Sequence, residues 1–399
     1  MRQRLIAISV LAACTSGALA AQPRYLLDAP GRWKPWSFTA YPDDVRALGV
    51  RPSDLKAVEA HLLQLNTIIK STAGFANPIG FSVQTGGGVD RPTDGRDAFG
   101  PALNVRPLPA RLAFGPFAIT EFGTGAAARR DDSGETPHIY FYVNQIGHPL
   151  FLELENRVPE FENIETDVAR LAPQQPDMFG LPRYGDTLVL KRNPAPIWTA
   201  VTFGETLEFV ARGIEQRLTG ERDRATNAQK AYDDLKDPKK REERMAQYRK
   251  IAPTQKDPAY LEKMTKAEDQ MARRADTEML PQVAVAKAIV TKSEQELAGV
   301  KTTAAGLSAA DKASPACYAA GDKVSLSRFR RAPGSGCEPL VRPNWNVFNP
   351  ALPRSAPQVL TIATSCLRAA PTPQWAHGCT ANRRLLESID KAALLAWLQ

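Results

Sequence analysis

Histidine is scarce in this 399-residue chain, with four in all. Two of them, His138 and His148, fall just ahead of Glu153 and Glu155. A histidine that exchanges a proton near neutral pH, oriented by a carboxylate, is the core of general acid–base catalysis. These four residues are therefore the candidate catalytic set, and one functional expectation is a hydrolase that uses His138 and His148 with the nearby carboxylates. The plainer reading is local. Pro137 places His138 at the start of a strand and His148 falls in a turn, so that both rings serve packing or face solvent.

A second set is cationic. Arg328-Phe329-Arg330-Arg331, followed by Arg342-Pro343-Asn344-Trp345, is the densest basic stretch. Guanidinium forks match phosphate and carboxylate groups, and neighbouring aromatic rings can stack. Arg328, Arg330, Arg331 and Arg342 are accordingly the candidate anion-binding residues, set against the commoner outcome of a solvated basic loop. The aromatic pairs Trp33/Trp36 and Tyr140/Tyr142 offer a ligand platform, or simply core and sheet packing. On a strand the two tyrosines must share a face.

Familiar catalytic signatures are missing. The sequence has no Gly-x-Ser-x-Gly elbow, no His-Glu-x-x-His, no Walker loop and no Gly-x-Gly-x-x-Gly behind a strand. The clusters Gly86-Gly87-Gly88 and Gly123-Thr124-Gly125 lack a following helix start and read as turns.

Setting Cys14 aside, the cysteines are Cys317, Cys337, Cys366 and Cys379, all in the last quarter of the chain. There is no Cys-x-x-Cys pair, and His377, two residues before Cys379, has no partners at ligand spacing. No metal or other cofactor is expected. An even set of clustered cysteines in an exported chain reads as disulfides. Three pairings are open, and the sequential one, Cys317–Cys337 with Cys366–Cys379, closes the shortest loops.

Export is read from the first residues. Met1-Arg2-Gln3-Arg4 supplies positive charge, Leu5 to Ala13 an apolar run, and Ala18-Leu19-Ala20 the small side chains of a cleavage site. This order is that of a secretory signal peptide with cleavage after Ala20, leading to the periplasm or outside. Within it, Leu11-Ala12-Ala13-Cys14 resembles the lipobox of bacterial lipoproteins. That resemblance implies a lipid on Cys14 and a chain tethered to a membrane. No other stretch reaches the ~20 apolar residues of a spanning helix, so no transmembrane span is expected in the mature chain. An oxidising compartment also argues against nucleic acid as partner.

The elements around these residues fall into four stretches. Residues 1–20 are the signal, and 21–201 a mixed α+β region. The latter has a helix through Leu55, Val58, Leu62, Leu65 and Ile69, capped by Ser53 or Asp54, and a strand over 79–83. Further strands are expected over 111–122, 138–143, 149–155, 188–190 and 197–201, with residues 144–148 turning one hairpin. Residues 202–314 read as a charged helical hairpin. Thr202-Phe203-Gly204-Glu205 fits a capping box, and prolines 238, 253, 258 and 281 break or restart its helices. With 21 Lys/Arg against 19 Asp/Glu, this stretch is no nucleic-acid arm. Residues 315–399 are loop-rich, with a strand over 358–364 and a final helix over 382–398. They hold ten Lys/Arg and four Asp/Glu, most of the net charge of +8.

The expected class is α+β, with the strand near Val359 a candidate to join the N-terminal sheet. Two functions stay open. One is a non-catalytic binding or scaffolding module of the cell envelope, whose partner is an envelope protein, a lipid headgroup or a cell-wall component. The other is the hydrolase above.

Overall fold

The apolar stripe that begins at Leu55 forms the helix α2 (Pro52–Ser71), preceded by a short α1 (Pro42–Ala47). The cap lies two residues before Ser53 and three before Asp54. Arg51 is the N-cap, and Asp54 serves it from inside the first turn, accepting from the Arg51 backbone N–H at 3.3 Å and from its guanidinium at 2.9 and 3.0 Å. That hydrogen bond to Arg51 leads the effects that hold the Asp54 carboxyl below its usual range, against the opposing effect of burial. The computed structural model describes residues 24–89, 107–122, 128–147, 158, 167–171, 174–319, 328–332, 337–367 and 373–399.

The fold is α+β. Its larger sheet holds ten strands among the described residues. They are β1 (Arg24–Tyr25), β2 (Ser37–Ala40), β3 (Phe81–Val89), β4 (Ala110–Phe122), β5 (Arg129–Glu135), β6 (Ile139–Val143), β8 (Gln174–Met178), β9 (Leu181–Tyr184), β10 (Thr187–Lys191) and β15 (Val359–Ala363). The order is β2-β3-β4-β6-β15-β10-β9-β8, with β1 and β5 also on β4. Only β2–β3 is parallel among these ladders. β15 therefore lies in the middle of a sheet otherwise built from the first half of the chain.

Alternation along the strands makes two faces. Leu112 and Phe114, Ile139, Phe141 and Val143, Leu360 and Ile362, and Leu188 and Leu190 share one core with α2 and the C-terminal helices. Those helices are α8 (Pro373–Ser388) and α9 (Lys391–Trp397). The single final helix expected from Leu385, Ile389 and Trp397 is thus two. Asp390 interrupts it, and its carboxylate accepts from Ala393 N at 2.9 Å as the cap of α9. Trp397 then donates to the His61 carbonyl at 3.0 Å and ties α9 to α2.

Two strand expectations need correcting. Gly86-Gly87-Gly88 is the end of β3, not a loop. Side chains are excluded there by contact: a Cβ at Gly87 would run into Trp36 and Leu62, and one at Gly88 into the Thr39 carbonyl of the parallel neighbour. The hairpin expected after β6 finds no free edge, because β4 and β15 occupy both sides of that strand. Its intended partner, 149–155, lies outside the described residues.

The supposed loop-rich stretch after Pro315 holds three strands, β12 (Ala316–Ala319), β13 (Phe329–Arg331) and β14 (Cys337–Pro343). With β7 (Ala169–Arg170) and β11 (Trp198–Ala200) they form a second, five-stranded sheet. The Cys317–Cys337 disulfide joins β12 to β14 diagonally, two register positions apart, and Cys366–Cys379 ties α8 to the segment after β15. Both pairings are the sequential ones. Between the sheets, Val189 and Val359 meet Trp198, Val341, Val347 and Phe348 in a shared core.

Candidate functional site

From the second sheet a helical arm departs. α3 (Phe203–Lys236) starts at the capping box read in the sequence. Thr202 Oγ1 accepts from Glu205 N at 3.2 Å, and the Glu205 carboxylate accepts from Thr202 N at 2.9 Å. Leu207, Val210 and Ile214 bury against Tyr318, Phe329 and Leu340, so the base of the arm shares a core with the small sheet. The outgoing leg continues after Asp237 as α4 (Pro238–Ile251). The return leg is α5 (Tyr260–Arg274), a π-helical turn (Ala275–Met279) and α6 (Leu280–Gly306), followed by the short α7 (Ala309–Ala313). Pro281 directly follows the π-helical turn, closed by Leu280 N–H on the Ala275 carbonyl, in a helix that runs on unbroken from α5 into α6; the missing N–H is thus accommodated by a widened turn, whereas α5 begins just beyond the expected Pro258.

The two legs are joined mainly by polar contacts. Lys301–Glu215 stands at 2.7 Å, Arg217–Glu296 and Arg222–Glu294 at 2.6 Å, Lys287–Gln229 at 2.7 Å and Lys236–Asp276 at 2.8 Å. Beyond them Arg241 pairs with Asp269, and Arg244 grips Glu268 through contacts of 2.9 to 3.2 Å. Numbers rise on one leg as they fall on the other, so the legs run antiparallel. At Asp237 the backbone is extended (ψ 117°) and Arg244 reaches back to donate to the Asp234 carbonyl at 3.2 Å, so α4 sets off at an angle from α3. At 1.5 Å per residue α3 alone is roughly 50 Å long. Glu268 is the one nearly sealed charge of the set, 1% exposed. The Arg244 hydrogen bond leads the effects that hold its carboxyl below the usual glutamate range, outweighing burial. The sequence showed the charges and the prolines but not which charge meets which. Cross-leg register depends on where each helix restarts.

Of the candidate catalytic set, only His138 lies among the described residues. His148, Glu153 and Glu155 do not, nor does Cys14. His138 sits at the mouth of β6 on the outer face of the large sheet, close over Gly115, where any Cβ would strike the imidazole. Its ring stacks on Tyr140 with centroids 6.0 Å apart and planes 19° apart, and meets Phe117 edge-on at 6.2 Å. Tyr140 stacks in turn on Tyr142 at 5.8 Å. Cations flank this ladder, with the Arg111 guanidinium 5.5 Å from the Tyr140 ring centre and the Lys34 ammonium 3.8 Å from that of Phe117. Two-residue periodicity stacks the tyrosines. Lys34 and Phe117 come from distant sequence and carried no local signal.

Beside the ladder, Asp132 accepts from Ser82 Oγ at 2.8 Å and from Arg32 at 3.0 Å, while Lys34 donates to its carbonyl at 2.8 Å. Burial alone would raise the Asp132 carboxyl, but these hydrogen bonds and the charges of Lys34 and Arg32 bring it below its ordinary value. With Pro30, Gly31 and Arg130, Arg32 and Asp132 line a surface depression of about 360 Å³. Trp33 donates to the Phe75 carbonyl at 2.8 Å, and Trp36 covers Gly87, so both belong to the sheet's packing.

The candidate anion-binding arginines are spread around the base of the arm. Arg328 donates to the Ala319 carbonyl at 3.1 Å and lies 4.2 Å from the Tyr318 ring centre. Arg331 pairs with Asp311, and Arg342 with Glu205 at 3.1 Å, within 3.8 Å of Asp167. Arg330 is exposed on β13. Three of the four guanidinium groups are thus engaged inside the protein, and Arg342 fastens the start of α3 to β14. Among the described residues no group of three His, Cys, Asp or Glu could hold a metal ion, and no helix is long and apolar enough to cross a membrane. No protein-family model, no curated protein and no solved structure matches the chain.

Proposed function

We propose that this is an exported, non-catalytic binding or scaffolding protein of the cell envelope, in which the two-sheet body holds the helical arm out for contact. The observation that carries this reading is the change in the arm's construction along its length. Its base is sealed into the core by Leu207, Val210, Ile214 and Val300. Past Leu218 the buried apolar residues of its α-helical and π-helical turns reduce to Ala225, Ala275 and Val283. A segment that encloses so little presents mostly surface, including an open depression of about 460 Å³ lined by Ala225, Gln229, Asp233 and Lys287, and such exposed surface suits partners. The two disulfides and the signal-like N-terminus support an oxidising compartment.

The test is site-specific photocrosslinking in the native envelope. A photoreactive residue at Gln255, at the tip, and one at Thr39, on the body, are compared. Adducts concentrated at Gln255 are the expected result. No adducts on the arm, together with hydrolytic turnover that His138→Ala abolishes, would replace this reading with the enzyme one.

A further inference from the structure

Helix α6 is apolar on two sides, and α3 covers only one of them. Val283, Leu297 and Val300 face inward. Nearly opposite, Pro281, Ala284, Val285, Ala288 and Ile289 are exposed at three- and four-residue spacing, with Val285 at 59% and Ile289 at 45%. A helix of a charged arm has no need of such a stripe for its own stability, and lone exposed apolar residues are ordinary only when scattered.

The stripe has charged ends of opposite sign. Glu278 lies seven residues before Val285 and Lys292 seven after it. Seven residues are close to two α-helical turns, so Lys292 stands near the line of Val285, while Glu278, in the π-helical turn, is rotated to one side of it. Glu278 has only a long, exposed contact with Arg274 at 3.9 Å. Lys292 is exposed and has no ion-pair partner among the described residues.

We infer that the occupant of this stripe is a second copy of the chain, docked antiparallel across a twofold axis near Val285. In that register Val285 meets Val285, Pro281 meets Ile289, and each Glu278 meets Lys292 of the second copy. A parallel arrangement would set Glu278 on Glu278 and Lys292 on Lys292, so the charge order selects the antiparallel one. Ala284 and Ala288 let the backbones approach closely. Gly306, where the arm returns to the body, is 21 residues from Val285, which places each body roughly 30 Å from the axis, on opposite sides. The pairing is isologous, as most soluble dimers are. It concerns the flank of the arm and stands apart from the contact proposed for the tip.

The experiment is sedimentation velocity on the mature, disulfide-bonded chain over a concentration series, with circular dichroism as the control for folding. The wild type is expected to move from monomer to dimer. Val285→Arg, at an exposed position, should stay helical and monomeric. Glu278→Lys should weaken the dimer roughly tenfold, because it places like charges together twice per dimer. Adding Lys292→Glu to Glu278→Lys should restore it. A wild type that is monomeric throughout, a dimer indifferent to Val285→Arg, or a charge swap that fails to restore association would each overturn the inference.

Discussion

Around Phe141 and around Glu268 the chain holds segments together by different forces. Phe141 is fully buried in a strand flanked on both edges, in a core that collects residues from β3 to α9. Near Glu268 two helices meet through a bidentate guanidinium pair, the Tyr248 hydroxyl at 3.3 Å, and a row of surface ion pairs. Apolar burial is insensitive to salt and cooperative over the whole body. Ion pairs on a solvated helix are individually weak and are screened. The difference teaches that the arm can open or bend from its tip downward without disturbing the sheets, since local stability follows local buried contacts.

The largest expected effect is in the body. Phe141→Ala should cost about 3–5 kcal/mol, read as a lower denaturant midpoint of β-sheet unfolding. If the arm lost its helicity at the same midpoint in both proteins, the two regions would be one cooperative unit and the contrast would fail. Next is the Cys317–Cys337 bridge, which closes a separation of 20 residues beneath the arm. Its replacement by serines should remove about 3 kcal/mol, with the loss centred on the small sheet and the base of α3.

Third, Arg244→Ala strands the buried Glu268 carboxylate. About 2–3 kcal/mol of local stability should go, visible as faster amide exchange in α4 and α5 while the body is unchanged. The same pair sets a pH dependence. Because the folded Glu268 carboxyl lies below its ordinary value, its contribution is complete at neutral pH and is lost as pH falls through that lowered value. Asp276, lowered first by its hydrogen bond from Lys236, acts in the same direction. Acidification below the free glutamate range of about 4.3 should therefore loosen the distal arm before the sheets, as followed by exchange or by tryptophan-free helical signals. The smallest effect is at Arg222–Glu294, both partners well exposed. A double-mutant cycle should give about 0.5 kcal/mol, vanishing in high salt.

Much of this contrast was legible in the sequence, and the reasons are physical. The α2 stripe, the Thr202–Glu205 box and the prolines of the arm act within a few residues, and period and capping expose them. Export-type cysteines with short loops pointed to the observed pairing. The rest depends on long-range contacts. Gly86-Gly87-Gly88 carries no strand propensity and is extended only because Trp36, Leu62 and Thr39 crowd it. The strands after Pro315 are short, and their partners lie as far away as Ala169 and Trp198. Of the site residues, His138 was visible as a residue type and Tyr140 as its same-face neighbour, but Phe117, with Lys34 over its ring, reaches the ladder through sheet order. The arginines showed charge without showing that Asp311 awaits Arg331 and that Asp167 and Glu205 await Arg342.

The most direct test is hydrogen exchange by mass spectrometry on the intact chain at low and high salt. Amides of β4, β6 and β15 should keep the same protection in both, while those of α4 and α5 exchange faster when salt screens the cross-leg pairs. Arm and body exchanging together, at rates that salt does not change, would contradict the division into an apolar body and an electrostatically held arm.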